Sequence, residues 1–414
     1  MLIIADENIP LARELFGRLG KVRTVHGRDI NENLPDIEKA EVLAIRSVAD
    51  ITPALIDAAP NVRVIGTATI GTDHIDMDYI EEVNQSRDKP ITVFSAPGSN
   101  ADSVADYIWL ALCHLTQGED VPFSDKSIGI IGVGNCGSRV AKRAEGFGMK
   151  VLRNDPPREE QESDFRSDSL EEALQADVVT LHVPLTREGE SKYPTYHMIA
   201  AEQVDMLRTD AVFMNACRGS VVKSGDLIER LHSDGASSAV LDVYEGEPAP
   251  PEELVELPAI STPHIAGYAV EAKRRGAAVI YRATCQALGV KTGPVEEFLS
   301  GDFSPPSGEV VEFDGSGAPD PAADSAVREL FARIHDITEV SDSLKSTVGR
   351  DDRGAVFDRL RKEYGQGARH ELSAYRVGLS DEMDSELREG IECRLAGFGV
   401  DVVEEDAHYI LLPS

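Results

Sequence analysis

The feature that most constrains the fold of this chain is a glycine-rich turn, Gly132-Val133-Gly134-Asn135-Cys136-Gly137. An apolar run precedes the turn and a helical pattern follows it, so the sequence predicts a strand, a turn and a helix. In such a turn the first glycine permits the tight bend, the second lets the backbone approach a pyrophosphate, and the third allows close helix–strand packing. We therefore predict a dinucleotide site at a helix N-terminus, where free N–H groups favour anions. Its expected members are Gly132, Gly134, Asn135, Cys136 and Gly137.

Asp155 ends the next apolar segment along the chain, MKVLRND, which predicts a second strand of the same sheet. A carboxylate at this position can accept hydrogen bonds from the adenosine ribose and repel a 2′-phosphate. Arg158 follows closely and can weaken that preference. The predicted cofactor is therefore NAD rather than NADP.

Strand and helix patterns alternate along most of the chain. Buried strands are predicted at MLIIADEN, EVLAIRS and VRVIGTAT, and again after the glycine turn at DVVTLHV, AVFMNAC and SSAVLDVY. Long helical patterns at 98–118 and 268–289 bracket the second group. Such alternation favours parallel sheets with helices on both faces. We predict an α/β protein with two doubly wound parallel-sheet domains: a discontinuous, flavodoxin-like substrate domain (1–97 with about 266–300) and a Rossmann-like NAD domain (98–265).

The remainder of the chain differs in composition and in its pattern of apolar and polar residues. Residues 301–325 are rich in Gly, Pro, Ser and Asp and are predicted to be a linker. Residues 326–414 regain a pattern and predict a small α+β domain. Its expected elements are a helix at 326–345, a strand at 374–380, a helix at 387–399 and a strand at 400–406.

Three polar residues follow predicted strands of the NAD domain: Arg218 in NACRG, Glu247 in DVYEGEP and His264 in TPHIAGY. Open α/β sheets bind ligands beyond the carboxyl ends of their strands, so the three segments are expected at one edge. Oxidising a 2-hydroxy acid requires a base for the hydroxyl proton, and histidine suits this near neutral pH. A carboxylate on the other ring nitrogen fixes the tautomer, while arginine offers a planar fork for a substrate carboxylate. We predict that this trio is catalytic.

In these segments the sequence resembles the D-2-hydroxyacid dehydrogenase family, whose members carry Arg, Glu and His in this order within NxxRG, DVxxxEP and PHI. The resemblance implies that Arg218 binds the substrate carboxylate, that Glu247 partners His264, and that His264 is the acid/base. It also implies NAD as the cofactor and a homodimer as the assembly. No metal is expected, because the chemistry needs none and the other histidines lack the spacing of metal ligands.

A narrower resemblance is to the branch of this family that oxidises 4-phospho-D-erythronate to 2-oxo-3-hydroxy-4-phosphobutanoate with NAD, in pyridoxal 5′-phosphate biosynthesis. It rests on the opening ADENIP, GTATIGTDHID (66–76), the forms DVYEGEP and HIAGY, and residues 361–375. The resemblance implies substrate contacts by Ser47, Thr69 and Tyr268. It implies that the NAD site is lined by Asp155, Ala216, Cys217, Arg218, Asp242 and Gly267. Val183 stands where the family often has threonine, so one hydroxyl contact to the cofactor is expected to be missing.

Two other functions stay open on the sequence alone. An enzyme of the branch that oxidises 3-phosphoglycerate would share the catalytic trio and would use residues 326–414 as a regulatory module. An NAD(H)-sensing co-repressor on the same fold would bind the dinucleotide without turnover, because a fold does not fix a function. In the branch preferred above, residues 326–414 are expected to be a dimerisation domain.

The formal net charge of −32 is spread along the chain. Such a surface repels nucleic acid and anionic membranes, so neither is expected as a partner. It suits a protein that works at high salt, where screening relieves self-repulsion, and equally an acidic protein from an ordinary setting. The five cysteines form no CxxC pair, which predicts a reducing, cytoplasmic setting. The sequence predicts neither a signal peptide nor a membrane span.

Overall fold

The computed structural model describes residues 1–119, 121–233, 238–293, 295, 310–313, 322–366, 369–380 and 383–403. The chain divides into two compact units. The first unit is Met1–Asn100 with Ala269–Phe303, and the second is Ala101–Tyr268 with Ser304–Ser414. Within the described ranges, no helix is both long enough and apolar enough to cross a membrane.

The elements are numbered here along the chain. The helices are α1 (Ala12–Phe16), α2 (Pro53–Ala58), α3 (Met77–Asn84), α4 (Ala101–Leu115), α5 (Asn135–Gly146), α6 (Pro156–Gln161), α7 (Leu170–Leu174), α8 (Ala201–Met206), α9 (Ser224–His232), α10 (Glu252–Glu256), α11 (Val270–Leu288), α12 (Ala322–Ile334), α13 (Thr338–Lys345), α14 (Arg353–Gln366) and α15 (Ser385–Ala396). The strands are β1 (Leu2–Asp6), β2 (Lys21–Val25), β3 (Ala40–Ile45), β4 (Val64–Thr67), β5 (Thr92–Phe94), β6 (Ser127–Ile131), β7 (Lys150–Asn154), β8 (Val178–Leu181), β9 (Val212–Asn215), β10 (Ser238–Leu241), β11 (Ile260–Ser261), β12 (Val310–Phe313), β13 (Arg376–Leu379) and β14 (Asp401–Val403).

The first unit contains a five-stranded parallel sheet in the order β2-β1-β3-β4-β5. This is the flavodoxin-like order, in which the direction of winding reverses between β1 and β3. Strands β1 and β3 are almost entirely buried, as expected for parallel strands with helices on both faces. Helix α11 packs tightly on the end of β4, where a Cβ on Gly276 would lie 3.0 Å from the Ala68 carbonyl oxygen.

The second unit contains a six-stranded parallel sheet in the order β11-β10-β9-β8-β6-β7. The register aligns the carboxyl ends of neighbouring strands, pairing Ile131 with Leu181, Asn215 with Leu241 and Leu241 with Ser261. The loops after β6, β9, β10 and β11 therefore leave the sheet at one edge, where such sheets bind ligands. The prediction of doubly wound parallel sheets is confirmed in both units.

The C-terminal segment (residues 322–403) shares a hydrophobic core with the six-stranded sheet. Helix α12 packs on α4, and the fully buried Trp109 of α4 stacks on Phe147 with ring centroids 4.7 Å apart. Phe398 meets Trp109 edge-on at 5.8 Å and Phe331 at 4.8 Å. Apolar side chains of the C-terminal segment are thus covered by the same chain. In the structure this segment completes the core of the second unit.

The structure differs from the sequence predictions in two places of this region. The predicted linker at 301–325 contains β12, which pairs in parallel with β13. The single helix predicted over 326–345 is instead two helices, α12 and α13. The helix breaks because the Asp336 carboxylate accepts a hydrogen bond from the Thr338 N–H (2.8 Å), a local side-chain bond that competes with helix continuation.

Candidate active site

The glycine turn after β6 has the geometry that a dinucleotide requires. Gly132 has φ +88°, and a Cβ there would lie 2.7 Å from the His182 carbonyl. A Cβ on Gly137 would lie 2.0 Å from the Gly132 carbonyl oxygen, so α5 packs directly on the turn. At Gly134 a Cβ would meet nothing within 4 Å, which leaves open space at the N-terminus of α5. The turn therefore fits the pyrophosphate of NAD, held by backbone N–H groups.

Asp155 directly follows β7 and lies beside the same turn. One carboxylate oxygen accepts a hydrogen bond from the Val133 N–H (2.7 Å), and the other from the Arg158 N–H (3.0 Å). The Arg158 guanidinium donates to the Val133 carbonyl (2.9 Å) and pairs with Glu162 (2.8 Å). The Asp155 carboxylate is thus fixed at the turn.

Arg218 lies in the loop after β9, and the neighbouring residues shape its backbone. Asn215 accepts a hydrogen bond from the Cys217 N–H (3.1 Å), and its side-chain amide donates to the Arg218 carbonyl (3.1 Å). A Cβ on Gly219 would lie 1.9 Å from the Tyr244 carbonyl carbon. Only glycine therefore lets the Arg218 loop approach the loop after β10 so closely.

Glu247 and His264 form a hydrogen-bonded pair at this edge of the sheet. The His264 Nδ1–H donates to Glu247 Oε2 (2.8 Å), and the Tyr244 N–H donates to Glu247 Oε1 (2.9 Å). Because an ionised carboxylate only accepts, Nδ1 carries the ring proton and Nε2 is left to accept another. Burial opposes ionisation of Glu247, but the charge that His264 carries when protonated, together with its hydrogen bond, outweighs burial, and the pKa of Glu247 lies below its ordinary value.

Asp242 holds the loop that presents His264. It is almost fully buried, and its carboxylate accepts hydrogen bonds from the N–H groups of Ile265 (2.7 Å) and Ala266 (2.9 Å) and from the Thr262 hydroxyl (2.7 Å). The His264 N–H donates to the Asp242 carbonyl (2.8 Å). These bonds maintain His264 at φ +57°, a left-handed conformation that non-glycine residues seldom adopt.

The other residues predicted for the NAD site lie at the same edge of the sheet or beside the turn. Ala216 and Cys217 precede Arg218 in the loop after β9, and Gly267 follows in the turn after His264. Burial raises the pKa of the Cys136 and Cys217 thiols to about 11, so neither is a thiolate nucleophile at neutral pH. In the described part of the chain, no cluster of three His, Cys, Asp or Glu residues could hold a metal.

Comparisons with known proteins agree with this geometry. A sequence model of the "D-isomer specific 2-hydroxyacid dehydrogenase, NAD binding domain" matches residues 106–266. The erythronate-4-phosphate dehydrogenase of Salinibacter ruber is 39% identical over 405 residues, covering 95% of this chain and 98% of that protein. That of Marinobacter nauticus is 38% identical over 390 residues, covering 93% and 96%. The chain belongs to the erythronate-4-phosphate dehydrogenase family.

The chain is accordingly an NAD-dependent enzyme of the D-2-hydroxyacid dehydrogenase type. Among solved structures, the NAD+-bound 3-phosphoglycerate dehydrogenase of Entamoeba histolytica has a TM-score of 0.58 and 26% identity, covering 71% of this chain and 98% of that chain. The family relatives thus align with a stretch of this chain that the 3-phosphoglycerate enzyme does not match. The 3-phosphoglycerate alternative is not favoured.

Ser47 and Thr69, the residues of the first unit predicted to contact substrate, follow neighbouring strands. Ile45 of β3 lies opposite Thr67 of β4. Ser47 and Thr69, each two residues further along the chain, therefore follow the sheet at the same level. The Thr69 hydroxyl shares a hydrogen bond with the Thr67 hydroxyl (2.6 Å) and donates to the Gly71 carbonyl (3.1 Å). The third, Tyr268, belongs to the second unit, where its N–H donates to the Ile265 carbonyl (2.8 Å).

The structure places two cations of the first unit near each other, and the sequence patterns did not single out the second of them, Lys273. Arg46 is buried at the end of β3, directly before Ser47, and Lys273 lies in the first turn of α11. Burial and then the charge of Arg46 lower the pKa of Lys273 to about 8. Because α11 packs on β4, Arg46 and Lys273 are close enough for the charge of one to act on the other. No local sequence pattern marks Lys273, so no signal in the sequence could have identified it.

Proposed function

We propose that this chain oxidises 4-phospho-D-erythronate to 2-oxo-3-hydroxy-4-phosphobutanoate, a step in forming pyridoxal 5′-phosphate. The observation that carries the proposal is the Glu247–His264 pair at the ligand-binding edge of the NAD domain, in a chain whose relatives of matching length are erythronate-4-phosphate dehydrogenases. NAD, when bound, supplies the acceptor for the hydride that leaves C2 of the substrate. The hydroxyl proton then has to go to the protein.

His264 takes that proton on Nε2, because Nδ1 is already committed to Glu247. The Glu247 carboxylate stabilises the imidazolium that results. Arg218 binds the substrate carboxylate and polarises the carbonyl that forms at C2. One C–H and one O–H bond break and one C=O bond forms, so each turnover yields the 2-oxo acid, NADH and a proton.

The binding residues are assigned by the same proposal. The cofactor is held by Gly132, Gly134, Asn135, Cys136, Gly137, Asp155, Ala216, Cys217, Arg218, Asp242 and Gly267, and the substrate contacts Ser47, Thr69 and Tyr268. The buried Arg46 and the partly buried Lys273 bring two positive charges together in the first unit. Two neighbouring cations suit the binding of an anionic group, which supports a phosphorylated substrate.

A panel of 2-hydroxy acids tests the function directly. NADH formation is followed with 4-phospho-D-erythronate, 3-phosphoglycerate and unphosphorylated D-erythronate at equal concentration. We expect kcat/KM to be highest for 4-phospho-D-erythronate. Faster turnover of 3-phosphoglycerate would refute the proposal, and NAD binding without turnover of any acid would favour a nucleotide sensor instead.

The charge of Lys273 predicts a specific pH dependence. For Lys273→Gln, we expect the wild-type to variant ratio of kcat/KM for the phosphorylated acid to be about 10- to 100-fold at low pH, the strength of one charge-assisted hydrogen bond. Because Lys273 is a cation only below its pKa of about 8, the ratio should fall towards one as the pH rises through that value. Taking the ratio cancels the pH dependence of every other group, since both proteins share those groups.

Lys273→Arg is the matched control, because it keeps the positive charge at every pH that can be assayed. Its kcat/KM should stay flat relative to wild type below pH 8 and exceed the wild-type value above it. A wild-type to Lys273→Gln ratio that does not change with pH would exclude Lys273 from phosphate binding.

The assembly and setting are part of the proposal as well. We propose a cytoplasmic homodimer whose contact involves residues 326–414. All five cysteines are free, which supports a reducing compartment. Sedimentation of the intact chain tests the assembly, and we expect twice the chain mass of 44.9 kDa. A species at the mass of one chain, throughout the micromolar range, would contradict it.

A further inference from the structure

Helix α14 of the C-terminal segment lies along the loop that carries Glu247. At its start, Arg353 donates a hydrogen bond to the Pro250 carbonyl (2.7 Å). One turn later, the buried Phe357 ring meets the Tyr244 ring edge-on, with centroids 6.2 Å apart. Residues four apart share one face of a helix, so this face is directed at the catalytic loop along the first half of α14.

Arg361 is the next residue on that face, one turn beyond Phe357. Its guanidinium lies over the Tyr268 ring, 5.4 Å from the centroid. Its charge also interacts with Glu247 and Asp242. A helix outside the NAD domain thus places a half-buried cation among three residues of the candidate site.

The chain after α14 is bonded to the same region. The buried Arg369 donates hydrogen bonds to the Ala266 carbonyl (3.3 Å) and to the Ser103 carbonyl of α4 (2.8 Å). Ala266 lies in the loop that presents His264, so both ends of this stretch contact the loops of the catalytic pair. Contacts made by residues before and after Arg361 in the chain therefore fix its position.

We propose that Arg361 is a positioning residue of the reaction, which holds the Tyr268 ring and the Glu247 carboxylate in the orientation from which His264 works. The inference rests on the proposed function. A guanidinium is suited to both tasks, since it stacks on an aromatic face and attracts a carboxylate while keeping its charge at all working pH values. In the half-buried surroundings of Glu247, that attraction is screened less than at the surface.

The ionisation of Glu247 provides a way to measure the effect of Arg361. Among the residues that the structure describes, the charged groups that face Glu247 are His264, from the loop after β11, and Arg361, from α14. Burial raises the pKa of Glu247, whereas His264, then the Tyr244 N–H and then Arg361 lower it, and the lowering prevails. Arg361 in turn faces Asp242 and Asp358, whose charges act on it. Removing Arg361 should therefore make Glu247 easier to protonate.

Two substitutions of Arg361 separate its charge from its shape. In Arg361→Gln, we expect kcat to fall about 10- to 100-fold, as for a misplaced catalytic group, with little change in the KM for NAD. The acidic limb of the pH profile of kcat should move to higher pH, because the positive charge of Arg361 disfavours protonation of the hydrogen-bonded pair that contains Glu247. Arg361→Lys should restore the acidic limb, since it keeps the charge, and recover only part of kcat.

Arg353→Gln is the matched control, because Arg353 contacts the same loop from the same helix face without facing Glu247. It should leave the acidic limb at the wild-type pH. The proposal is overturned if Arg361→Gln and Arg353→Gln have the same pH profile, or if Arg361→Lys does not restore the limb. All profiles are recorded with whichever acid of the substrate panel the wild type oxidises fastest, so a wrong substrate assignment and a wrong role for Arg361 give different results.

Discussion

Replacing His264 with asparagine is expected to lower kcat for NADH formation by about 10²- to 10⁴-fold, the range typical of a lost general base. Asparagine cannot accept the hydroxyl proton through a ring nitrogen. Asparagine tolerates the left-handed backbone of this position, φ +57°, better than alanine does, so the backbone conformation of the loop should be unchanged. NAD affinity should be nearly unchanged, because the glycine turn belongs to a different strand and helix.

A double-mutant cycle with Glu247→Gln sharpens this test. Glu247 acts on the reaction through its hydrogen bond to His264 (2.8 Å), so its loss should matter little once His264 is gone. The double variant should therefore be about as slow as His264→Asn alone. Fully multiplicative losses would mean that Glu247 has a separate role, and a kcat for His264→Asn near that of wild type would remove His264 from the mechanism.

The arrangement of Arg218, Glu247 and His264 could be predicted from sequence because each of them follows a buried strand. Parallel strands in register deliver their carboxyl ends to one edge, so residues distant in sequence converge without further information. The glycine turn could be predicted for the same reason, since its roles depend on backbone geometry that only glycine permits. The fold class and the position of these residues at one edge of the sheet thus follow from local patterns and one topological rule.

Arg361 and Lys273 could not be predicted in this way. Each lies on a helix, where an arginine or a lysine is ordinarily a solvated surface residue. Their positions near Glu247 and near Arg46 depend on how α14 and α11 pack, which no local pattern records. The supporting role of Asp242 is hidden similarly, because a strand-end aspartate gives no sign of the backbone N–H groups it will accept from.

The largest stability effect is expected at the junction between the C-terminal segment and the NAD domain. Phe398→Ala removes a ring that is only 3% exposed and that meets Trp109, Phe147 and Phe331. The free energy of unfolding should fall by about 3–5 kcal/mol, as for other buried phenylalanines cut to alanine. Trp109 is the single tryptophan of the chain, so its fluorescence during denaturation reports on this junction alone.

The matched control is Val121→Ala, in the same unit, whose side chain is 47% exposed and should change stability by less than about 0.5 kcal/mol. If the C-terminal segment were an independent domain, Phe398→Ala would unfold it while the Trp109 transition and NAD binding stayed at wild-type values. If the core is shared, the Trp109 transition shifts together with the unfolding of the C-terminal segment. A chain that ended before α12 would expose Trp109 and lose part of the NAD domain's core. Truncation therefore cannot test the dimer, and the intact chain has to be used.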